Sequence, residues 1–243
     1  MKDRPTFRQE LETNGFSVIE NLFSGEETAK ILEAIEAADQ GRETFRKSRD
    51  LFAIRQFLRE VPSVSKLILT EKLQAVIREL MDGHAFVVKS IYFDKPESSN
   101  WVVAWHQDLT ISVDQKTEME GFGPWTRKQN QFAVQPPVHF LENILTIRIH
   151  LDDTDEHNGA LKVIPGSHLE KVCRPETLEQ KEEKGVSCRV KRGGIMLMKP
   201  LTFHSSGRTT NGKQRRLIHL ELANQELPAG LHWSERMDLN LFS

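Results

Sequence analysis

The apolar periodicity of this chain changes near residue 85, and that change limits the fold more than any other feature. Before it, Ile31, Leu32, Ile35 and Ala38 recur at helical spacing behind Ser24-Gly25-Glu26-Glu27. A Ser three residues ahead of a Glu is a capping box, so a helix is expected from Gly25 to about Asp39. Two shorter helices are expected over Val64 to Leu69 and Leu73 to Met81, and a short strand over Phe16 to Ile19 after the Asn14-Gly15 turn. The charged stretch from Gly41 to Asp50 reads as a surface loop. After residue 85, Phe86, Val87, Val88, Ile91, Tyr92 and Phe93 are β-branched or aromatic, as a buried strand requires.

Short strands follow at Trp101 to His106, Ile144 to Leu151, Leu161 to Ile164, Ser187 to Val190, Ile195 to Met198 and Leu217 to Leu222. Within ILTIRIHL, Ile147, Ile149 and Leu151 take one face and Thr146, Arg148 and His150 the other. The Asn158-Gly159 turn suggests a hairpin into Leu161 to Ile164. Ser112 to Pro137 shows little periodicity and reads as a long loop or lid, and Glu170 to Gly185 as a polar stretch with a short helix. Helices first and short strands afterwards predict a β-sandwich or jelly roll with the N-terminal helices packed on one sheet. There is no internal repeat or linker, so the 243 residues are expected to form a single domain, 1–243.

Composition narrows the function. A net charge of -2 lacks the basic footprint of a nucleic-acid binder. No apolar run approaches the roughly 20 residues that span a bilayer, and the N-terminus MKDRPTFRQE has no signal-like apolar segment, so a cytoplasmic protein is expected. Cys173 and Cys188 are too few and too far apart for a disulfide framework or a cysteine metal site. Any metal must be held by nitrogen and oxygen.

His106-Gln107-Asp108 offers that chemistry. At i and i+2 of an extended chain, an imidazole and a carboxylate face the same side. His204, just after the strand Ile195 to Met198, is the candidate third ligand. Two His and one carboxylate form the facial triad of non-haem iron(II) oxygenases, which leaves open positions on the ion. Arg215 follows His204 by eleven residues, a spacing that lets a strand return beside the metal pocket. Its guanidinium is a natural bidentate partner for a carboxylate, and Ser206 can add a hydroxyl donor.

These stretches, WHQD (105–108), NGALKVIPGSH (158–168) and the His204 to Arg215 spacing, resemble the phytanoyl-CoA dioxygenase family over about residues 14 to 233. The resemblance implies a double-stranded β-helix (a cupin-like jelly roll), Fe(II), 2-oxoglutarate as cosubstrate and O2. It implies His106, Asp108 and His204 as metal ligands, with Arg215 and Ser206 on the distal carboxylate of 2-oxoglutarate. Lys89 matches, loosely, a polar cosubstrate contact. Relatives that halogenate replace the carboxylate ligand with Gly or Ala, so Asp108 implies hydroxylation of a C–H bond or a related oxidation, with release of succinate and CO2.

Candidate substrate contacts are Gln107, Arg148, Trp125 and Gln131. Gln107 faces away from the two ligands on an ideal strand, where a structural hydrogen bond is expected; twist at the strand end can turn it inward. Arg148 either faces inward, toward the cosubstrate or an acidic substrate group, or is salt-bridged outward. Trp125, Asn130, Gln131 and Gln135 lie in the long loop, where specificity often resides. Arg216 should face away from Arg215, and a one-residue slip would exchange their roles. His150 and His219 are expected to be ordinary core histidines. Two other readings stay open: a zinc or manganese isomerase or hydrolase on the same fold, and a non-catalytic binding protein. The partner is expected to be a small molecule, fatty acyl-CoA or other metabolite.

Overall fold

The computed structural model describes residues 6–38, 45–47, 52–99, 101–128, 131–173 and 184–239. Helix α1 (Phe7–Asn14) opens on a Thr6/Gln9 capping box and stops where Gly15 turns left-handed at φ 82°. The sequence reading passed over it because only Leu11 is buried, so no apolar stripe marks it. Strand β1 (Phe16–Ile19) and helix α2 (Gly25–Glu36) follow, α2 with the expected Ser24/Glu27 box but ending before Asp39. Within the charged stretch the described part is strand β2 (Phe45–Lys47), paired with β3 (Phe52–Arg55); the rest of that stretch lies outside the described residues. Helices α4 (Pro62–Ile68) and α5 (Glu71–Leu80) match the two predicted patterns, with Thr70 capping α5, and a one-turn helix α3 (Phe57–Glu60) that was not expected precedes them.

The remaining strands are β4 (Phe86–Lys95), β5 (Val103–His106), β6 (Ile111–Val113), β7 (Trp125–Lys128), β8 (Gln131–Val134), β9 (Leu145–His150), β10 (Leu161–Val163), β11 (Val186–Ser187), β12 (Ile195–Met198), β13 (His204–Ser206), β14 (Arg215–Ala223) and β15 (Met237–Asp238). The large sheet runs β1-β12-β9-β14-β4-β3-β2, with β15 also on β4. Its outer face carries Leu145, Ile147, Ile149, Ile195, Leu197, Ile218 and Leu220, which pack with Ile31, Phe57, Val64, Leu73 and Ile77 of the helices in one buried cluster. Each such fully buried aliphatic or aromatic side chain contributes roughly 1.5–3 kcal/mol. The expected helical layer on one sheet is therefore present, and the fold is mainly β with flanking helices. A small sheet, β11-β10-β13-β5, supplies the strands on which the cavity described below also rests.

Two expectations change. The Asn158-Gly159 turn does not close a hairpin: β9 pairs with β12 and β14, whereas β10 pairs with β11 and β13. Both edges of β9 are already filled, so the chain crosses to the other sheet, as a jelly roll requires. Residues 112 to 137 are not a structureless loop. Strands β6, β8 and β7 form a third sheet, followed by α6 (Val138–Glu142). Ile111, Val113 and Val134 are buried there with Trp233, and Trp125 and Phe132 pack against them. Each strand contributes only one to three apolar positions, too few for period 2 to stand out.

Candidate metal centre

Strands β5 and β13 are neighbours in the small sheet, and their register sets His106 directly opposite His204. The two imidazole rings lie 4.2 Å apart, centroid to centroid. Each Nδ1 meets the carbonyl oxygen two residues earlier: His106 that of Ala104 at 2.8 Å, His204 that of Thr202 at 2.9 Å. Those carbonyls accept the Nδ1 protons, which leaves both Nε2 lone pairs free to face inward. Asp108 is fixed by its own backbone, whose N–H donates to the Pro200 carbonyl at 3.0 Å. One Asp108 carboxylate oxygen lies 3.8 Å from His106 Nε2 and the other 3.6 Å from His204 Nε2. All three ligand atoms fall within 4.8 Å of one another. An N2O set gathered on one side of a point suits a divalent first-row metal such as iron(II). Burial lowers the His204 pKa to about 4, against the pull of Asp108, so its imidazole is neutral and ready to ligate at neutral pH. Burial pushes the Asp108 carboxyl up, but His204, His219, Lys89 and His106 draw it down further, so it stays ionised.

These ligands sit in the wall of a cavity of roughly 300 Å³, together with Lys89, Arg148, Ser206, Arg215, His219 and Glu221. Strand β14 places Arg215 inward and buried, while Arg216 turns out to a bidentate pair with Asp152 at 2.8 and 2.9 Å. The register question between the two arginines is thereby resolved in the sense the alternation predicts. Arg215 donates to the Gly159 carbonyl, and its Nε has no hydrogen-bond partner among the described residues. Burial, then the nearby Arg148, draws its pKa down to about 9. A guanidinium still charged at neutral pH and lacking an acidic partner among the described residues is a site prepared for an anion.

The family model for phytanoyl-CoA dioxygenase (PhyH) matches residues 11–217. The chain belongs to this family. As a PhyH-family protein it is similar to a probable alpha-ketoglutarate-dependent hypophosphite dioxygenase of Stutzerimonas stutzeri, 28% identical over 72% of this chain and 57% of that protein. It is also similar to the ectoine dioxygenase of Bordetella parapertussis, 26% identical over 78% of this chain and 62% of that one. The match thus spans less than two thirds of either relative. Among solved structures, EctD from S. alaskensis with 2-oxoglutarate and 5-hydroxyectoine superposes with a TM-score of 0.69 at 20% identity, covering 92% of this chain and 78% of that one. That likeness confirms the cupin-type double-stranded β-helix.

The other predicted residues of this PhyH-family chain divide into two groups. Arg148 turns inward from β9, buried, with its Nε unpartnered among the described residues and one terminal nitrogen 3.4 Å from His219 Nδ1. Ser206 is buried in the same wall, two residues past His204. Lys89 also lines the cavity, but it pairs with Glu221 at 2.7 Å, six residues along β14 from Arg215. Gln107 faces away: its amide donates to the Lys171 and Leu201 carbonyls at 2.7 and 2.6 Å and accepts from the Cys173 N–H at 3.0 Å. It fastens the ligand strand to two loops and is not in the cavity wall. Trp125 packs into the third sheet's core and Gln131 donates to Ser234 at 2.9 Å; neither lines the cavity. Asn130 lies outside the described residues.

Sequence reading missed Arg55, Trp101 and Glu221, which all line the cavity, and His219, expected to be an ordinary core histidine, lines it as well. His219 and Glu221 stand four and six residues after Arg215, so period 2 along β14 places them on its face. That signal was present. Arg55 carries no comparable one, since it lies on a strand set apart from the motifs.

Proposed function

We propose that this protein is an Fe(II)- and 2-oxoglutarate-dependent dioxygenase that hydroxylates a C–H bond of a small molecule. The carrying observation is the pairing, in one cavity, of a His-Asp-His cluster with a buried arginine that has no acidic partner among the described residues. A zinc or manganese hydrolase would use the cluster and leave Arg215 without a role.

His106, Asp108 and His204 hold the iron. With 2-oxoglutarate and O2 bound, the metal supplies an oxidant able to break a C–H bond, with succinate and CO2 as co-products. The protein's part is to position and to exclude water. Arg215, aided by the Ser206 hydroxyl, orients the cosubstrate by its distal carboxylate. Arg148 adds a second positive charge along that wall. Leu161, Ile91 and Phe93 close the cavity with apolar surface, which strengthens each of these charged contacts.

The test is aerobic incubation of the purified protein with Fe(II) and 2-oxoglutarate, following succinate. Slow succinate release that needs both O2 and iron, and that His204→Ala abolishes, is the expected result. Iron-loaded protein that leaves 2-oxoglutarate intact, alone and with a broad metabolite panel, would overturn the reading.

A further inference from the structure

Two arginines in the cavity wall, Arg215 and Arg148, are buried without a carboxylate to pair with among the described residues. Arg215 is 3% exposed and Arg148 8%, and the Nε of each lacks a hydrogen-bond partner. The Arg148 guanidinium instead makes a long contact, 3.4 Å, with His219 Nδ1. Lys89 is in a different state. It donates to Glu221 at 2.7 Å, and Glu221 also meets His219 Nε2 at 3.2 Å, so those two charges offset one another. A buried guanidinium without such a partner carries a desolvation cost that a bound carboxylate would offset.

The spacing of the two arginines is informative. Arg148 lies on β9 directly opposite His219 of β14, and His219 is four residues along β14 from Arg215. At about 3.3 Å per residue and about 4.8 Å between neighbouring strands, the two arginine Cα atoms stand some 14 Å apart. Both side chains rise from the same face of the sheet into the same cavity. A five-carbon diacid holds its carboxyl carbons about 5 Å apart by ordinary bond lengths. A guanidinium facing a carboxylate at hydrogen-bond distance adds about 4 Å at each end, which brings the total close to the separation of the two arginines. Arg148 is the member on the metal side: its charge acts on His204, and that of Asp108 acts on it.

We infer that Arg148 is a second anchor for the cosubstrate, holding the carboxylate next to the keto group while Arg215 holds the distal one. This rests on the dioxygenase reading above. The cosubstrate is then oriented by both of its ends, and Arg148 fixes the keto-acid end beside His106, Asp108 and His204.

The experiment is anaerobic calorimetry on Fe(II)-loaded protein with 2-oxoglutarate and with 2-oxopentanoate. The second ligand keeps the keto-acid end and has a methyl group in place of the distal carboxylate. Arg148→Met should weaken both ligands about tenfold or more, the loss of one charge-assisted hydrogen bond. Arg215→Met should weaken 2-oxoglutarate by a similar factor and leave 2-oxopentanoate unchanged, a selectivity that mere loss of folding cannot produce. Arg148→Lys, which keeps the charge but not the planar fork, should lose less for both ligands, and it carries the comparison if the Met variant fails to hold iron. Three results would each overturn the inference. Loss of 2-oxoglutarate alone in Arg148→Met would put Arg148 on the distal carboxylate. Loss of neither ligand would give it to a different molecule. Failure of 2-oxopentanoate to bind the unaltered protein at millimolar concentration would remove the metal-side anchor. If 2-oxoglutarate itself does not bind the unaltered protein, the dioxygenase reading fails and takes this inference with it.

Discussion

Arg215 illustrates how far single residues were legible. Its spacing from His204 and the alternation of β14 placed it inward and Arg216 outward, because a strand's two faces leave no third choice. Replacing Arg215 with Ala is expected to raise the KM for 2-oxoglutarate roughly 10- to 100-fold, the value of one or two charged hydrogen bonds, with Lys restoring only part. Steady-state kinetics on the three proteins checks this. Gln107 was less legible, since its partners are backbone groups of Lys171, Leu201 and Cys173, far away in sequence. Gln107→Leu leaves those groups unpaired and should cost about 1–3 kcal/mol in urea unfolding, without direct loss of a substrate contact. Lys95 was invisible in the sequence: it is fully buried, and its ammonium donates to the Trp101 and Gly207 carbonyls. Burial, then Arg215, lowers its pKa from 10.5 to about 8. Between those values the unfolded chain binds the proton and the folded one does not, so stability from this group rises with pH across the window from 8 to 10.5. Unfolding free energies of the protein and of Lys95→Met should therefore diverge in favour of the lysine form as pH rises from 8 to 10.

At the scale of elements, the sequence was readable where one face is apolar over several turns or residues. Helices α2, α4 and α5 and strand β9 were found on that basis. It misled where pairing is non-local. The Asn158-Gly159 dipeptide is a sound local hairpin signal, yet β9 and β10 belong to different sheets, and only the occupied edges of β9 decide that. The same turn bears on the site. Gly159 has φ +87°, and a Cβ there would lie 2.8 Å from Lys95 Nζ and 2.9 Å from the Gly207 carbonyl oxygen, while its own carbonyl holds Arg215. Gly159→Ala should thus lower both the melting temperature and 2-oxoglutarate affinity, the second through a misplaced guanidinium rather than a lost one. A variant with normal melting but weaker binding would separate these two effects; a variant unchanged in both would refute the link between turn and site.

The whole molecule is a layered body with helices on one face of the large sheet and the cavity on the other. Among the described residues no helix is long and apolar enough to cross a membrane. The layer order followed from the change of period near residue 85, but the three-stranded sheet did not, because its apolar signal is spread over short strands. A metal held between β5 and β13 ties together strands far apart in the chain, so it binds the folded state alone. A metal present at a hundred times its dissociation constant should add about 2.7 kcal/mol, raising the melting temperature reversibly under chelation.

The most direct test of the central claim is the visible spectrum of the anaerobic Fe(II) protein as 2-oxoglutarate is added. Chelation of iron(II) by a 2-keto acid gives a weak metal-to-ligand charge-transfer band. The account predicts a band that saturates with 2-oxoglutarate, is absent in His106→Ala, and needs more cosubstrate in Arg215→Ala. Iron binding without any band would contradict it and return the chain to a metalloprotein of other chemistry.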